Sequence, residues 1–350
     1  MTAVPPPATA RLDVDLDALA ANYHALKARA GVPVHPVVKA DAYGLGAAPV
    51  ARRLMREGAD TFFVARLGGG VKLRAALGSG PLIYVLDGCA SGARACLIAH
   101  DLRPVLNSHE QLRAWDAGGP CAIQIDTGMN RLGFEGADLP REVPHLSMVL
   151  SHLSCADDPA APGNEAQRAL FAQCDALYPG VPRSLANSGG VFLGHDYARD
   201  AVRPGLSLYG IEPTEQPGTL LRPVASLHAM ILQVREVRAG TPVGYGGAWR
   251  APRDTRIATI GIGYADGFGR SHFPDGAVHG GGRLLALAGR ISMDLTGIDL
   301  GDTALEPGDW VEIFGKDRRI EDAARAAGTI SYELLTGIGP RVERRYLGQP

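Results

Sequence analysis

Through roughly its first two-thirds the chain alternates short β-branched apolar runs with amphipathic stretches, which restricts it to folds built on a parallel sheet. The runs at 12–14, 34–38, 61–65, 82–86, 103–106, 122–126, 146–152 and 184–186 read as strands, with further strand material near 201 and at 206–209. Between them, 16–30, 47–57, 71–77, 92–99, 109–117 and 165–178 read as helices. In the first helix Leu16, Leu19, Tyr23 and Leu26 share one face. About eight βα units of this length predict an α/β class fold, an N-terminal (β/α)8 TIM-type barrel. An open doubly wound sheet is the runner-up, disfavoured because no Gly-x-Gly-x-x-Gly follows an early strand.

The pattern changes at a Pro- and Gly-containing linker, 213–223. Beyond it, 225–237, 242–245, 256–262, 283–288, 293–299 and 310–314 read as strands, and only 320–327 as helix. The expected organisation is a flexible tail over 1–10, a barrel over 11–222 and a C-terminal mostly-β domain over 223–350.

The net charge of −2 gives no basic surface for a nucleic-acid partner. Cys89, Cys96, Cys121, Cys155 and Cys174 are odd in number and lack CxxC spacing, so neither a disulfide framework nor a zinc or other metal site is expected. They fit a reducing, cytoplasmic setting. No signal peptide is read at the start, and no apolar run reaches the roughly eighteen residues of a membrane span.

Lysine occurs only at positions 27, 39, 72 and 316, so a chemistry that needs a titratable amine has few candidates. Lys39 follows the β-branched run 34–38 directly, which puts it at the C-terminal mouth of a barrel, where active sites lie. Partial desolvation there lowers an amine's pKa and makes it a competent Schiff-base former. A strand-end lysine reaching solvent is the plainer reading of that residue taken alone.

The wider sequence changes the balance. Val38-Lys39-Ala40-Asp41-Ala42-Tyr43-Gly44 resembles the cofactor-lysine signature of the alanine racemase family. In the same order as in that family follow Asp126-Thr127-Gly128-Met129-Asn130-Arg131-Leu132-Gly133, Ser151-His152 with Cys155-Ala156-Asp157, Asn187-Ser188 and Ala201-Val202-Arg203-Pro204-Gly205 with Tyr209-Gly210. Val243-Gly244-Tyr245-Gly246, Ile262-Gly263-Tyr264-Ala265-Asp266-Gly267 and Ile291-Ser292-Met293-Asp294 complete the series. Any one motif is moderately specific; their joint order, over nearly the whole chain, is highly specific.

The resemblance implies a fold-type III isomerase that uses pyridoxal 5'-phosphate to interconvert L- and D-alanine by two-base proton transfer. It implies a supply of D-alanine as a peptidoglycan precursor and a homodimer with shared active sites, with no nucleic-acid or membrane partner. Lys39 would bind the cofactor and serve one face of the substrate, and Tyr245, from the β domain, the other face. Tyr43, Ser188, Gly205 and Leu206 would hold the phosphate. Arg203 would face the ring nitrogen, steadied by a hydrogen bond with His152. Arg131 and the Met293 backbone N–H would hold the substrate carboxylate. Tyr264 would restrict the entrance, and Asp294 would organise the Met293 loop. The chemistry suits these types: a guanidinium only donates, and its planar fork matches a carboxylate.

Two positions depart from the family. Gln124 stands where many relatives carry a carbamylated lysine that buttresses the carboxylate-binding arginine, and Pro340 where relatives commonly carry a phosphate-contacting tyrosine. A neutral Gln124 is expected to accept a hydrogen bond from Arg131, with a small anion such as chloride between them. Competing readings are a broader racemase acting on serine, a non-catalytic pyridoxal-phosphate protein and a decarboxylase of the same fold type.

Overall fold

The computed structural model describes residues 8–214 and 220–349. Most of the expected tail (1–7) and the middle of the linker (215–219) lie outside the described residues. The chain divides into two compact units, residues 17–222 and residues 8–16 together with 223–349.

In the first unit, Thr61–Val64, Leu82–Val85, Arg103–Leu106, Cys121–Gln124, Leu146–Leu150 and Arg183–Ser184 form a parallel sheet in chain order. Residues 34–38 and 201–204 complete the ring without continuous ladders. Val34 bridges Val202 and Val37 bridges Phe63, both parallel. The N–H groups of His35, Val37, Val38 and Arg203 donate to the carbonyls of Val202, Pro204, Phe63 and Ala186 at 2.8–2.9 Å. Pro33, Pro36 and Pro204 have no N–H to give, which leaves bridges in place of ladders. Val37, Phe63, Tyr84, Val105, Ala122, Met148 and Leu150 form the packed interior. Removing each such side chain from water stabilises the unit by roughly 1.5–3 kcal/mol.

The second unit is built on the long strand Ala225–Val237. Its first half pairs antiparallel with Ala10–Asp15 and Trp310–Phe314, and its second half with Thr255–Ile260. Glu343–Leu347 adds to Ala10–Asp15 in parallel, and Thr296–Gly301 pairs antiparallel with Thr255–Ile260. The expectation that the barrel begins at residue 11 is corrected: Ala10–Asp15 belongs to this sheet. Its burial alternates, with Leu12 and Val14 inside and charged neighbours less buried, as in a sheet covered on one face. The barrel strand Thr61–Val64 is instead buried at every position.

Two further corrections fall in this unit. Ser331–Thr336 is a second helix, and the strand expected over 293–299 begins only at Thr296, which leaves Met293 in a turn.

Candidate active site

Lys39 opens a short turn, Lys39–Tyr43, in which Ala40, Asp41, Ala42 and Tyr43 all have φ between 50° and 58°. A left-handed turn of non-glycine residues costs roughly 1–2 kcal/mol per residue. Hydrogen bonds from the N–H groups of Ala42, Gly44 and Gly46 to the carbonyls of Val38, Ala40 and Asp41 hold it closed. Asp41 Oδ1 also accepts the N–H of Ala47 at 2.7 Å, at the start of the helix Ala47–Arg56. Burial lowers the Lys39 pKa, the nearby Arg131 charge lowers it further, and Asp87 partly opposes them.

Arg203 is buried, and burial pulls its pKa down to about 9, so it is protonated at neutral pH. Its Nη2 donates to the Ser151 carbonyl, while Nη1 is buried with no hydrogen-bond partner among the described residues. The expected bond between His152 and Arg203 is not formed; the Ser151 carbonyl orients the guanidinium instead. Ser151 is braced by Thr127 (Oγ to Oγ, 2.8 Å), and Gln167 Nε2 donates to Thr127 Oγ1 at 3.1 Å and to the His152 carbonyl at 3.0 Å. Burial, then the charges of Arg203, Arg131 and Lys39, drive His152 down to about 3 and keep it neutral.

Ser188 Oγ accepts the N–H groups of Gly205 (3.0 Å) and Ser207 (3.2 Å). Leu206 follows as the first residue of the short turn Leu206–Tyr209. A Cβ at Gly205 would stand 2.2 Å from Tyr43 Oη, so only glycine permits this approach. The Tyr43 ring packs on Tyr209 at 4.9 Å, and Tyr209 Oη donates to the Val37 carbonyl at 3.1 Å. Hydroxyls and backbone N–H groups gathered at the late strand ends suit a phosphate.

Arg131 is carried by a loop knotted around Asp126, whose carboxylate accepts the N–H groups of Gly128, Met129 and Arg131 at 2.8–3.0 Å. These bonds hold the Asp126 pKa below its ordinary value against burial. The expected Gln124–Arg131 contact is corrected: Gln124 Nε2 donates to the Leu132 carbonyl at 2.7 Å. Arg131 is exposed in the single chain, so the burial cost that called for a counter-anion does not arise there.

In the second unit, Tyr245 stands at the tip of the hairpin Pro242–Val243/Trp249–Arg250 and is 68% exposed. Gly244, Gly246 and Gly247 all have positive φ, which lets the tip turn tightly around the phenol. Tyr264 and Met293, both exposed, sit on two abutting turns. The N–H groups of Tyr264 and Ala265 donate to the carbonyls of Ser292 and Met293 at 3.0 Å. Asp294 Oδ1 accepts Arg341 Nη1 at 2.8 Å.

Gln167, Asp87 and Arg341 also bear on these residues or their turns. Only distant chain segments meeting in space give these residues roles, and no local motif marks them.

Residues 14–213 match the family profile of the alanine racemase N-terminal domain and residues 224–346 that of the alanine racemase C-terminal domain. The chain is 44% identical to a catabolic alanine racemase of Mesorhizobium japonicum, covering 97% of this chain and 94% of that protein. It is 42% identical to a biosynthetic alanine racemase of Agrobacterium fabrum, covering 96% and 93%. The crystal structure of alanine racemase from Bartonella henselae, with covalently bound pyridoxal phosphate, superposes with a TM-score of 0.93 at 37% identity, covering 97% of this chain and all of that one.

Proposed function

The chain belongs to the alanine racemase family, and from that premise we propose how its residues share the work of inverting alanine. Its activity is the interconversion of L- and D-alanine with pyridoxal 5'-phosphate as cofactor.

The residues present fit that cofactor. The observation that carries the assignment is Arg203, a buried guanidinium whose Nη1 has no partner among the described residues and can donate to an aromatic ring nitrogen. Ser188, Tyr43 and the backbone at Gly205 and Leu206 would take the phosphate. When bound, the cofactor supplies the electron sink that makes the α-proton of alanine removable.

Lys39, its amine pKa lowered by burial and by the charge of Arg131, would hold the cofactor and move the proton at one face of the alanine Cα. The Tyr245 hydroxyl serves the opposite face. Arg203 donates without surrendering its own proton, which restrains charge delocalisation and disfavours side reactions. Neutral His152 adds no further positive charge beside Arg203. Arg131 and the Met293 N–H hold the alanine carboxylate, and Tyr264 limits the size of the substrate.

The enzyme works as a homodimer in which Tyr245, Tyr264 and Met293 complete the site of the partner subunit. The exposure of these three large side chains on one unit supports an interface there. A cytoplasmic setting is supported by five free cysteines, and no helix among the described residues is long and apolar enough to cross a membrane. D-Alanine supply for the cell wall is the proposed role.

The test is polarimetry of the purified holoenzyme with L-alanine, D-alanine, L-serine and L-lysine in parallel. Racemisation of alanine in both directions, exceeding that of serine and lysine, is expected. No inversion of alanine refutes the reading, and serine turned over as well as alanine replaces it with a broader racemase.

A further inference from the structure

Arg341 joins two loops that share no sequence neighbourhood. Its Nε and Nη2 reach Asp266 Oδ1 at 2.9 and 2.8 Å, and its Nη1 reaches Asp294 Oδ1 at 2.8 Å. We propose that Arg341 is a positioning residue of the racemase: its guanidinium clamps the turns that present Tyr264 and Met293, and so sets the affinity for alanine and the exclusion of larger side chains. The proposal rests on the assignment of Tyr264 and Met293 above.

The two turns touch closely. A Cβ at Gly263 would stand 2.4 Å from the carbonyl oxygens of both Ser292 and Met293. Asp266 is buried beneath them, and its second oxygen accepts the Gly263 N–H at 3.0 Å. Asp266 therefore fixes the start of the Tyr264 turn, while Asp294 directly follows Met293. Two carboxylates on abutting turns repel, and the Arg341 guanidinium bridges them and offsets that repulsion. Its planar fork suits this, because separate N–H edges can face separate acceptors.

The segment that carries Arg341 is itself held. Arg344 donates to the carbonyls of Ile338, Gly339 and Val342 at 2.7–2.9 Å. The Gly339 N–H donates to the Asp266 carbonyl at 2.9 Å. Pro340, with its locked φ, reduces the freedom of the backbone just before Arg341. The proline that departs from the family's tyrosine thus stiffens the approach to this clamp.

The Arg341 side chain is half exposed. Its pair with Asp294 faces solvent on both sides and contributes little to global stability, so that half of the clamp acts on the geometry of the turns more than on folding. This separates a positioning role from a purely structural one.

Arg341→Met and Arg341→Lys holoenzymes are assayed with L-alanine and L-serine, and their thermal unfolding is followed. For Arg341→Met the expected result is a KM for alanine raised about tenfold, kcat within about threefold of wild type, and a narrowed preference for alanine over serine. Lysine can reach only one carboxylate at a time and is expected to restore part of the loss. Unchanged KM and preference in Arg341→Met overturn the proposal, as does a fall in kcat and thermal stability with KM unchanged. If Arg341→Met does not fold, Asp294→Asn removes the outer half of the clamp. The same KM and preference changes, smaller in size, are expected there, and their absence overturns the proposal. A wild-type enzyme inactive on alanine refutes the racemase reading instead, so the two failures are distinguishable.

Discussion

Replacing Arg203 by methionine should make the cofactor-free protein more stable while damaging the holoenzyme. Burial pulls the Arg203 pKa far below the ordinary guanidinium value, to about 9. That depression corresponds to roughly 5 kcal/mol spent keeping the guanidinium charged in the folded state. Its bond to the Ser151 carbonyl returns about 1.5–3 kcal/mol, and Nη1 returns nothing while unpaired. The difference, about 2–3.5 kcal/mol, should favour an apolar side chain of similar length. The sign follows from linkage. A base with a lowered folded pKa loses stability at every pH below that pKa, and the loss fades only as pH climbs from about 9 towards the ordinary guanidinium value. The gap between variant and wild type should therefore be the same at pH 6 and pH 8, on the order of 2 kcal/mol. Urea unfolding of the stripped proteins measures it, provided that the slope m is unchanged. In the holoenzyme the variant should bind pyridoxal phosphate at least about tenfold more weakly, because the donor for the ring nitrogen is gone. A stripped Arg203→Met protein less stable than wild type by more than about 1 kcal/mol at equal m would falsify the view that this arginine is held for the cofactor at a cost to the fold.

Gly205→Ala should force Tyr43 aside at an overpacking cost of about 1–3 kcal/mol, seen as weaker cofactor binding in a spectrophotometric titration of the apoenzyme. Wild-type affinity in that variant shows that the close approach does not matter. Lys39→Ala should lose racemisation and the visible absorbance that borohydride abolishes in the wild type, and Tyr245→Phe should lose racemisation while keeping that absorbance. Mixed under conditions of subunit exchange, these two variants should recover activity through hybrid dimers with one intact site; no recovery points to sites built within one chain. His35, His152 and His272 are held down to about 4, 3 and 4 by burial. The unfolded chain takes up their protons below about pH 6.5 and the folded chain does not, so stability falls as pH drops from about 6.5 towards 4. Replacing His272, which lies away from the proposed chemistry, by glutamine should flatten that fall, and denaturant midpoints at pH 7.5 and pH 5 decide it.

The barrel was legible in the sequence because each strand buried on both faces leaves a continuous apolar run, as in Thr61–Val64. The candidate site has its clearest sequence signals where the backbone requirement is local: Lys39 before its turn, Arg131 in a loop organised by Asp126, and Gly205 against Ser188. Each motif carries its own backbone requirement, so a short window of residues announces it. The strand Ala10–Asp15 was assigned to the barrel because its place in the chain suggested a first βα unit. Its alternating apolar and charged residues fit a sheet covered on one face, but only the partners at 225–237 and 343–347 reveal which sheet.

Other features lay beyond any reading of the chain alone. Four consecutive left-handed residues after Lys39 go against the preference of Ala, Asp and Tyr, and only the surrounding structure holds them there. The expected bond from His152 to Arg203 is replaced by one from Arg203 Nη2 to the Ser151 carbonyl. Gln124 turned to Leu132, and Arg341 found Asp266 and Asp294 across 75 and 47 residues of chain. Sequence by itself determined the residue types able to perform the chemistry and the strand periods that bring them to the mouth of a barrel. Which donor meets which acceptor was decided only by tertiary structure, because hydrogen-bond pairing depends on distances of a few tenths of an ångström between segments that the chain order does not relate.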